Sequence, residues 1–402
     1  MPATRRRFCQ AAGGLLAAAA IPSALSAPRR PMSEDAVDLP PAKLTGRPLP
    51  DLLQPLPLPP GERIGFALVG LGAYALNQIA PNLANTRGCK LAAVVSGNAE
   101  KAGRVAAAYG LGKEHVYSYD DFDRIADDPA VDVVYIILPN AFHREWTERA
   151  FAAGKHVLCE KPMAGTPADC EAMIAAGERA GKKLMIGYRA QFDPYNLEAI
   201  KAVRGGDGTD GEIGVPRIVV SDHGRILDLA VTRDQWRAKK ELACGGSLYD
   251  IGIYSVNGAR YLLGEEPTET TARYLPRSDR PQVTVEEGVE WQMTFPSGAV
   301  ASCTSSYRVA GNKRIHVQGA EGEVTLDPAT DYYIRNLKIQ SGDKTRDVEI
   351  PQANQFAAML DEMATAVREN RDPKTPGAEG LRDVRIMTAI YKAAETGEAV
   401  KM

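Results

Sequence analysis

Three side chains in this sequence are of types that move protons and charge. Lys161 lies in Glu160-Lys161-Pro162, and Asp250 and Tyr254 lie in Gly245-Gly246-Ser247-Leu248-Tyr249-Asp250-Ile251-Gly252-Ile253-Tyr254. Lys161 follows a short apolar run, at the carboxyl end of a parallel strand, where open α/β sheets bind their ligands. Asp250 and Tyr254 are four residues apart and share one helix face. Taken singly, Glu160-Lys161 reads as a surface pair and Asp250/Tyr254 as a helix surface with one hydrogen bond. The glycine pair argues for close approach to something, since glycine at a helix start is otherwise costly. The five histidines and the cysteines show no metal-ligand spacing. The cysteines of the folded part (Cys89, Cys159, Cys170, Cys244 and Cys303) read as small apolar residues.

A second constellation is Gly70-Leu71-Gly72-Ala73-Tyr74-Ala75, a G-x-G-x-x-A turn directly after a strand and opening a helix. Its glycines let backbone approach a pyrophosphate, and the helix N-terminus stabilises the charge. The next strand ends in Val95-Ser96-Gly97-Asn98, with Lys101 one turn into the following helix. An NAD site usually carries an acid there for the ribose 2′-hydroxyl. A hydroxyl and an ammonium suit a 2′-phosphate instead, so the expected cofactor is NADP(H). Tyr119 reads either as a stacking partner for the adenine or as a surface tyrosine.

The elements that must position these residues alternate. Strands are expected at 64–69, 90–95, 131–138, 156–159 and 183–186, with helices at about 99–109, 144–153 and 167–180. That pattern predicts an α/β Rossmann domain with a doubly wound parallel sheet over 61–187. From about residue 215 the pattern changes. Strands at 218–221, 268–274, 289–295, 299–307, 314–318 and 323–326 follow one another with few helices, and Pro296-Ser297-Gly298 is a hairpin turn. With helices near 247–263, 352–369 and 378–395, residues 188–402 are expected to form an α+β substrate-binding and oligomerisation domain around a largely antiparallel, open-faced sheet.

The first residues read differently. Thr4-Arg5-Arg6-Arg7-Phe8, an apolar run over 11–21 and small residues up to Ser26-Ala27 predict a twin-arginine export signal over 1–27, hence a periplasmic protein. The run is too short for a stable membrane anchor. Residues 28–60 are proline-rich yet carry seven leucines among 39–58, which favours an arm lying on a neighbouring subunit over a solvated linker. The formal charge of −3 becomes −6 once the three arginines of 1–27 are removed. No basic field for nucleic acid remains, and a neutral small molecule is the expected partner.

Five stretches together resemble the Gfo/Idh/MocA oxidoreductase family from about Arg63 to the C-terminus. They are Val95-Ser96-Gly97-Asn98-Ala99-Glu100-Lys101, Tyr135-Ile136-Ile137-Leu138-Pro139-Asn140, Gly154-Lys155-His156-Val157-Leu158-Cys159-Glu160-Lys161-Pro162-Met163, Gln235-Trp236-Arg237 and the segment 245–254. Tyrosine at 254, where many members have histidine, is similar to the sugar–sugar branch, the glucose–fructose and aldose–aldose oxidoreductases. The resemblance implies that Tyr254 is the acid/base on the sugar C1 hydroxyl. Lys161 would hold that hydroxyl and depress the tyrosine pKa, and Asp250 would orient sugar and lysine. It implies that Gly70, Leu71, Gly72 and Tyr74 hold the pyrophosphate side, and that Ser96, Gly97 and Lys101 hold the 2′-phosphate. Ile137, Leu138, Pro139, Asn140 and His143 would line the nicotinamide side beside Glu160 and Lys161. Arg189, Trp236 and Arg237 would pack over the cofactor and help trap it.

The implied reaction is ping-pong. An aldose is oxidised at C1 to an aldonolactone, and a second sugar is reduced to an alditol by the NADPH kept on the enzyme. The segment Ser221-Asp222-His223-Gly224-Arg225-Ile226-Leu227-Asp228 departs from the glucose–fructose pattern, which leaves an aldose as open an acceptor as fructose. Two alternatives are a sugar dehydrogenase with dissociable NADP(H) and a non-catalytic sugar-binding protein on the same scaffold. A homo-oligomer, dimer or tetramer, is expected, with the open sheet face covered by a second subunit.

Overall fold

The computed structural model describes residues 58–206, 209–350 and 354–402. The expected export signal and nearly all of the expected arm lie outside the described residues. β-branched and small apolar residues build six parallel strands: β1 (Ile64–Val69), β2 (Cys89–Val95), β3 (Val116–Tyr117), β4 (Val133–Ile136), β5 (His156–Glu160) and β6 (Leu184–Gly187). Their order is β3-β2-β1-β4-β5-β6. Side chains alternate between the two faces of a strand, and in β1 both sets are buried. Ala67 and Val69 belong to one core, and Phe66 and Leu68 to the other. A π-turn (Ala75–Ile79) running into α1 (Ala80–Leu83), and α2 (Ala99–Ala108), cover the Phe66 face. Helices α3 (His143–Ala152) and α4 (Pro167–Ala180) cover the other. Sheet order reverses between β1 and β4, and that switch point opens the ligand crevice at their carboxyl ends.

Beyond β6 come α5 (Pro194–Arg204), β7 (Pro216–Ile226), the short helices α6 (Thr232–Gln235) and α7 (Lys240–Ala243), and α8 (Ile253–Leu263). Strands β8 (Glu269–Tyr274), β9 (Gly288–Thr294), β10 (Val300–Ser306), β11 (Arg308–Gly319), β12 (Gly322–Leu326), β13 (Leu337–Ser341) and β14 (Lys344–Val348) follow. The chain ends with α9 (Gln355–Arg368), α10 (Gly377–Thr396) and β15 (Val400–Lys401). The second sheet runs β14-β13-β12-β11-β7-β10-β9-β8-β15, with β7 and β10 parallel and the other neighbours antiparallel. Val219, Ile315, Val317 and Val324 face α5, α8 and α10 in the core, while Ile218, Val220 and Ile226 stand exposed. Among the described residues no helix is long and apolar enough to cross a membrane.

The structure adds to the sequence reading in several places, among them the short strand β3, which had no assignment. Strand β7 runs to Ile226, well past the expected 221, so His223 and Arg225 are strand residues. The hairpin β13–β14 and helix α5 had no assignment; β14 is an exposed, charged edge strand (Lys344, Arg346, Asp347) without an apolar period. Helix α9 packs on the first sheet rather than with the second: Phe356, Met359, Leu360 and Met363 share a core with Phe66 and Leu68.

Candidate active site

The crevice begins at the glycine turn. Gly70 has φ +93°, and a Cβ there would lie 2.4 Å from the carbonyl oxygen of Ile137. Only glycine lets β1 pass so close to the end of β4. A Cβ at Gly72 would meet nothing within 4 Å. The first glycine is thus required by the fold, while the second borders open space at a helix N-terminus. Leu71 is buried beneath the turn. A dinucleotide pyrophosphate fits this cradle.

The next strand forms the other end. The Ser96 hydroxyl accepts from the Asn98 N–H (3.2 Å), and the Asn98 side chain caps α2 by accepting from the Lys101 N–H (2.9 Å). The Tyr119 ring lies against Gly97, where a Cβ would come within 3.1 Å of it, and meets Trp146 edge-on at 5.0 Å. Ser96, Gly97, Lys101 and Tyr119 therefore gather at one place, with no acid at the strand end.

The proton-moving residues meet on α8. A π-turn (Leu248–Gly252) leads into the helix, with the N–H of Ile253 reaching back to the Leu248 carbonyl; such turns recur at functional sites. The Lys161 ammonium donates to the backbone carbonyl of Asp250 (2.6 Å) and sits 4.7 Å from the centre of the Tyr254 ring. The Arg189 guanidinium donates to the Tyr254 hydroxyl (3.0 Å), and the His223 ring stacks on the tyrosine at 5.7 Å. Burial alone would raise the phenol pKa; Arg189 first and Lys161 second outweigh it and bring it below its ordinary value. Burial, together with the charges of Lys313, Arg189 and Lys161, brings the His223 imidazole down to about 3, so it is neutral. It is held by Ser255 Oγ and Thr330 Oγ1, each at 2.9 Å. Against burial, Arg237, Lys161 and Arg225 hold the Asp250 carboxyl well below the usual range. Its oxygens accept from Arg237 Nε (3.2 Å) and Arg225 Nη1 (3.3 Å).

This arrangement can be set against known proteins. Residues 64–188 match the Gfo/Idh/MocA model for an oxidoreductase family with an NAD-binding Rossmann fold, and residues 209–402 match that family's C-terminal alpha/beta domain. The chain belongs to the Gfo/Idh/MocA oxidoreductase family. It is similar to the aldose-aldose oxidoreductase of Caulobacter crescentus, whose crystal structure contains glycerol: 48% identity over 85% of this chain and 100% of the other, TM-score 0.80. It is 31% identical to the D-xylose 1-dehydrogenase [NADP(+)] of Haloarcula marismortui over 84% of this chain and 93% of the relative. It is 27% identical to the 1,5-anhydro-D-fructose reductase of Ensifer adhaerens over 84% and 98%.

Several residues expected on the cofactor from the Gfo/Idh/MocA resemblance have other contacts. His143 is fully buried, with its ring nitrogens 2.9 Å from the carbonyls of Leu138 and Pro162. It ties the loop Ile137-Leu138-Pro139 to the lysine loop rather than lining the crevice. The Asn140 amide donates to the Ala243 carbonyl (2.8 Å) and joins the two domains. Glu160 is buried under the Tyr135 phenol. Tyr74 packs on Tyr332 and Phe356, at 6.1 and 6.2 Å. Arg189 is 3% exposed and donates to the Tyr254 hydroxyl. Arg237 lies 4.4 Å over Trp236 and reaches Asp250.

The glycine pair approaches the protein itself. A Cβ at Gly246 would lie 1.9 Å from the Glu286 carbonyl oxygen, and one at Gly245 would strike Tyr249 and Tyr391. The buried Glu286 carboxylate accepts from the N–H groups of Gly246 (2.6 Å) and Leu248 (2.8 Å), which caps the helix carrying Asp250 and Tyr254. Sequence reasoning gave no role to Glu286, Thr330, Tyr332 or Gln355, and no local motif marks them. His223 was flagged only as part of a divergent segment. Apolar residues on the outer face of β7, Ile218 and Val220, hide the inward set Val219, Ser221 and His223.

Proposed function

We propose that this protein is a periplasmic, NADP(H)-retaining sugar oxidoreductase. In this reading it oxidises an aldose at C1 to an aldonolactone and reduces a second sugar, aldose or ketose, to an alditol in ping-pong fashion. The observation that carries the reading is Tyr254: a phenol drawn below its ordinary pKa by two cations, Arg189 and Lys161, at the carboxyl end of the parallel sheet. The Gly70–Gly72 turn would hold the pyrophosphate of NADP(H) and the Ser96–Lys101 loop its 2′-phosphate, and the nicotinamide of the bound cofactor would supply the acceptor and donor of the C1 hydride. Tyr254 as phenolate takes the C1 hydroxyl proton in the oxidative half. As phenol it returns that proton to the second sugar's carbonyl oxygen in the reductive half. Lys161, whose ammonium lies 4.7 Å from the centre of the Tyr254 ring, orients the sugar hydroxyl toward Tyr254. The similar aldose-aldose oxidoreductase and NADP(+) xylose dehydrogenase support the sugar class. The residues 1–27 support export, and an exported enzyme without a soluble nucleotide pool needs a retained cofactor. The exposed face of the second sheet supports a homo-oligomer, for which a single-subunit mass by light scattering would count against the reading.

The decisive test is the fluorescence of the purified, extensively dialysed protein with no cofactor added. Emission characteristic of NADPH should rise on glucose and fall on a second sugar. A dehydrogenase with dissociable NADP(H) is the second reading, favoured by the NADP(+) xylose dehydrogenase relative. It would instead show no nucleotide after dialysis and turnover only with added NADP+.

A further inference from the structure

Two arginines of the molecule are almost equally buried and are treated oppositely. Arg260, 4% exposed, is met by the carboxylates of Glu266, Glu379 and Asp383 within 3.1 Å. Arg189, 3% exposed, has no carboxylate within 4.0 Å among the described residues. Its N–H groups go to neutral acceptors: Gln355 Oε1 at 2.6 Å, the Thr330 carbonyl at 2.7 Å and the Asp331 carbonyl at 3.5 Å. The faces of Tyr332 and Tyr254 lie 4.6 and 5.0 Å from its carbon. Neutral acceptors orient a guanidinium without cancelling its charge, and an uncompensated buried charge is costly. Among the described residues, the one hydrogen-bonded partner of Arg189 that can become an anion is the Tyr254 phenol, 3.0 Å away.

We infer that Arg189 is a positioning residue that makes the tyrosinate of Tyr254 its counter-ion, and so sets the protonation state in which this acid/base waits for substrate. The inference rests on the reading of Tyr254 as the acid/base. The two neighbouring cations divide the work by geometry. Lys161 lies over the ring and spends its shortest hydrogen bond on the Asp250 carbonyl, while Arg189 touches the phenolic oxygen. A guanidinium only donates and keeps its proton at any working pH. Arg189 therefore takes no part in the proton relay. Its N–H occupies one acceptor direction of the oxygen, and the phenol's own proton is directed elsewhere. The remaining groups around the phenol do not replace this charge. His223 is neutral, and Glu160 is bound by the Tyr135 phenol and acts in the opposite sense. Tyr332 and Tyr74 are neutral phenols, and the Asp250 carboxylate is already paired with Arg225 and Arg237. The lowered phenol pKa agrees with this geometry.

The test uses the dialysed full-length protein and follows tyrosinate absorbance against pH, taking the difference between each form and its Tyr254→Phe counterpart. Arg189→Met should raise the midpoint of that difference by at least one pH unit. The rising limb of the pH–rate profile for aldose oxidation should move by the same amount, so that activity is lost at neutral pH and recovered at high pH. Arg189→Lys should restore most of the shift. Arg189→Gln, which keeps a donor but not the charge, should behave as Arg189→Met and serves if the methionine form does not fold. A uniform loss of rate with an unmoved midpoint would overturn the inference. Failure of the underlying reading is separate: the Tyr254→Phe protein alone would then keep its activity.

Discussion

The two ends of the crevice are made from different parts of the polypeptide. At the glycine turn the work is done by backbone, and the residues are neighbours in sequence: Gly70, Leu71 and Gly72, with the Ile137 carbonyl against the first glycine. At Tyr254 it is done by side chains from the loops after β5 and β6, from β7, from the loop after β12 and from α9. These lie as far apart in sequence as Lys161 and Gln355. A backbone site is intolerant of a single methyl group. A side-chain site depends instead on charge, and each member is held by others that never touch a ligand.

Substitutions can break or sharpen that contrast. The largest effect is expected at the side-chain end: Tyr254→Phe should lower kcat about 10³-fold, equivalent to about 4 kcal/mol, while nucleotide content stays unchanged. Equal loss of nucleotide would erase the distinction. At the backbone end, Gly70→Ala should destabilise the fold by roughly 3 kcal/mol in denaturant melts and abolish nucleotide retention, because the new methyl meets a carbonyl at a positive φ. Gly72→Ala separates the two roles of the turn. Its methyl enters open space, so stability should hold within about 0.5 kcal/mol while nucleotide affinity falls roughly tenfold or more. The smallest effect belongs to Lys101→Ala, expected to cut the preference for NADP over NAD by about tenfold, or about 1.4 kcal/mol, in competition binding. The two half-reactions should also respond oppositely to pH. Oxidation needs the phenolate and rises through the Tyr254 midpoint; reduction needs the phenol and falls through it. That midpoint lies below the ordinary tyrosine value of about 10.

The same contrast explains what was legible beforehand. The parallel sheet, its glycine turn and the absence of an acid after β2 are local features, and apolar runs punctuated by glycine announce them. Lys161, Asp250 and Tyr254 were singled out by their types and spacing and given roles by a family resemblance, and they do converge on one point. Their surroundings were not visible. Nothing near Arg189 in the chain signals Gln355, Thr330 or the Tyr254 phenol as its acceptors. The glycine pair at 245 and 246 correctly announced a close approach but not its object, the Glu286 cap. The β13–β14 hairpin escaped because an exposed edge strand needs no apolar period, and the packing of α9 on the first sheet was not visible because its periodicity names a buried face without naming the partner.

Helix α9 and the strand-like contact of Thr375 with β6 carry a consequence for how the molecule is made. Ile186 donates its N–H to the Thr375 carbonyl (2.8 Å), and the Thr375 hydroxyl returns to the Ile186 carbonyl (2.7 Å), closing the edge of the first sheet. Phe356, Met359, Leu360 and Met363 cover one of its faces. A nascent chain that has just released β6 from the ribosome thus holds the whole glycine turn on a sheet with one face only partly covered, by α1 and α2, and with an open edge. That sheet waits for nearly two hundred more residues before either is sealed. Synthesis of the last quarter of the protein is the event that completes the first domain, so a chain truncated before α9 should be captured by chaperones or proteases rather than accumulate as a free nucleotide-binding fragment.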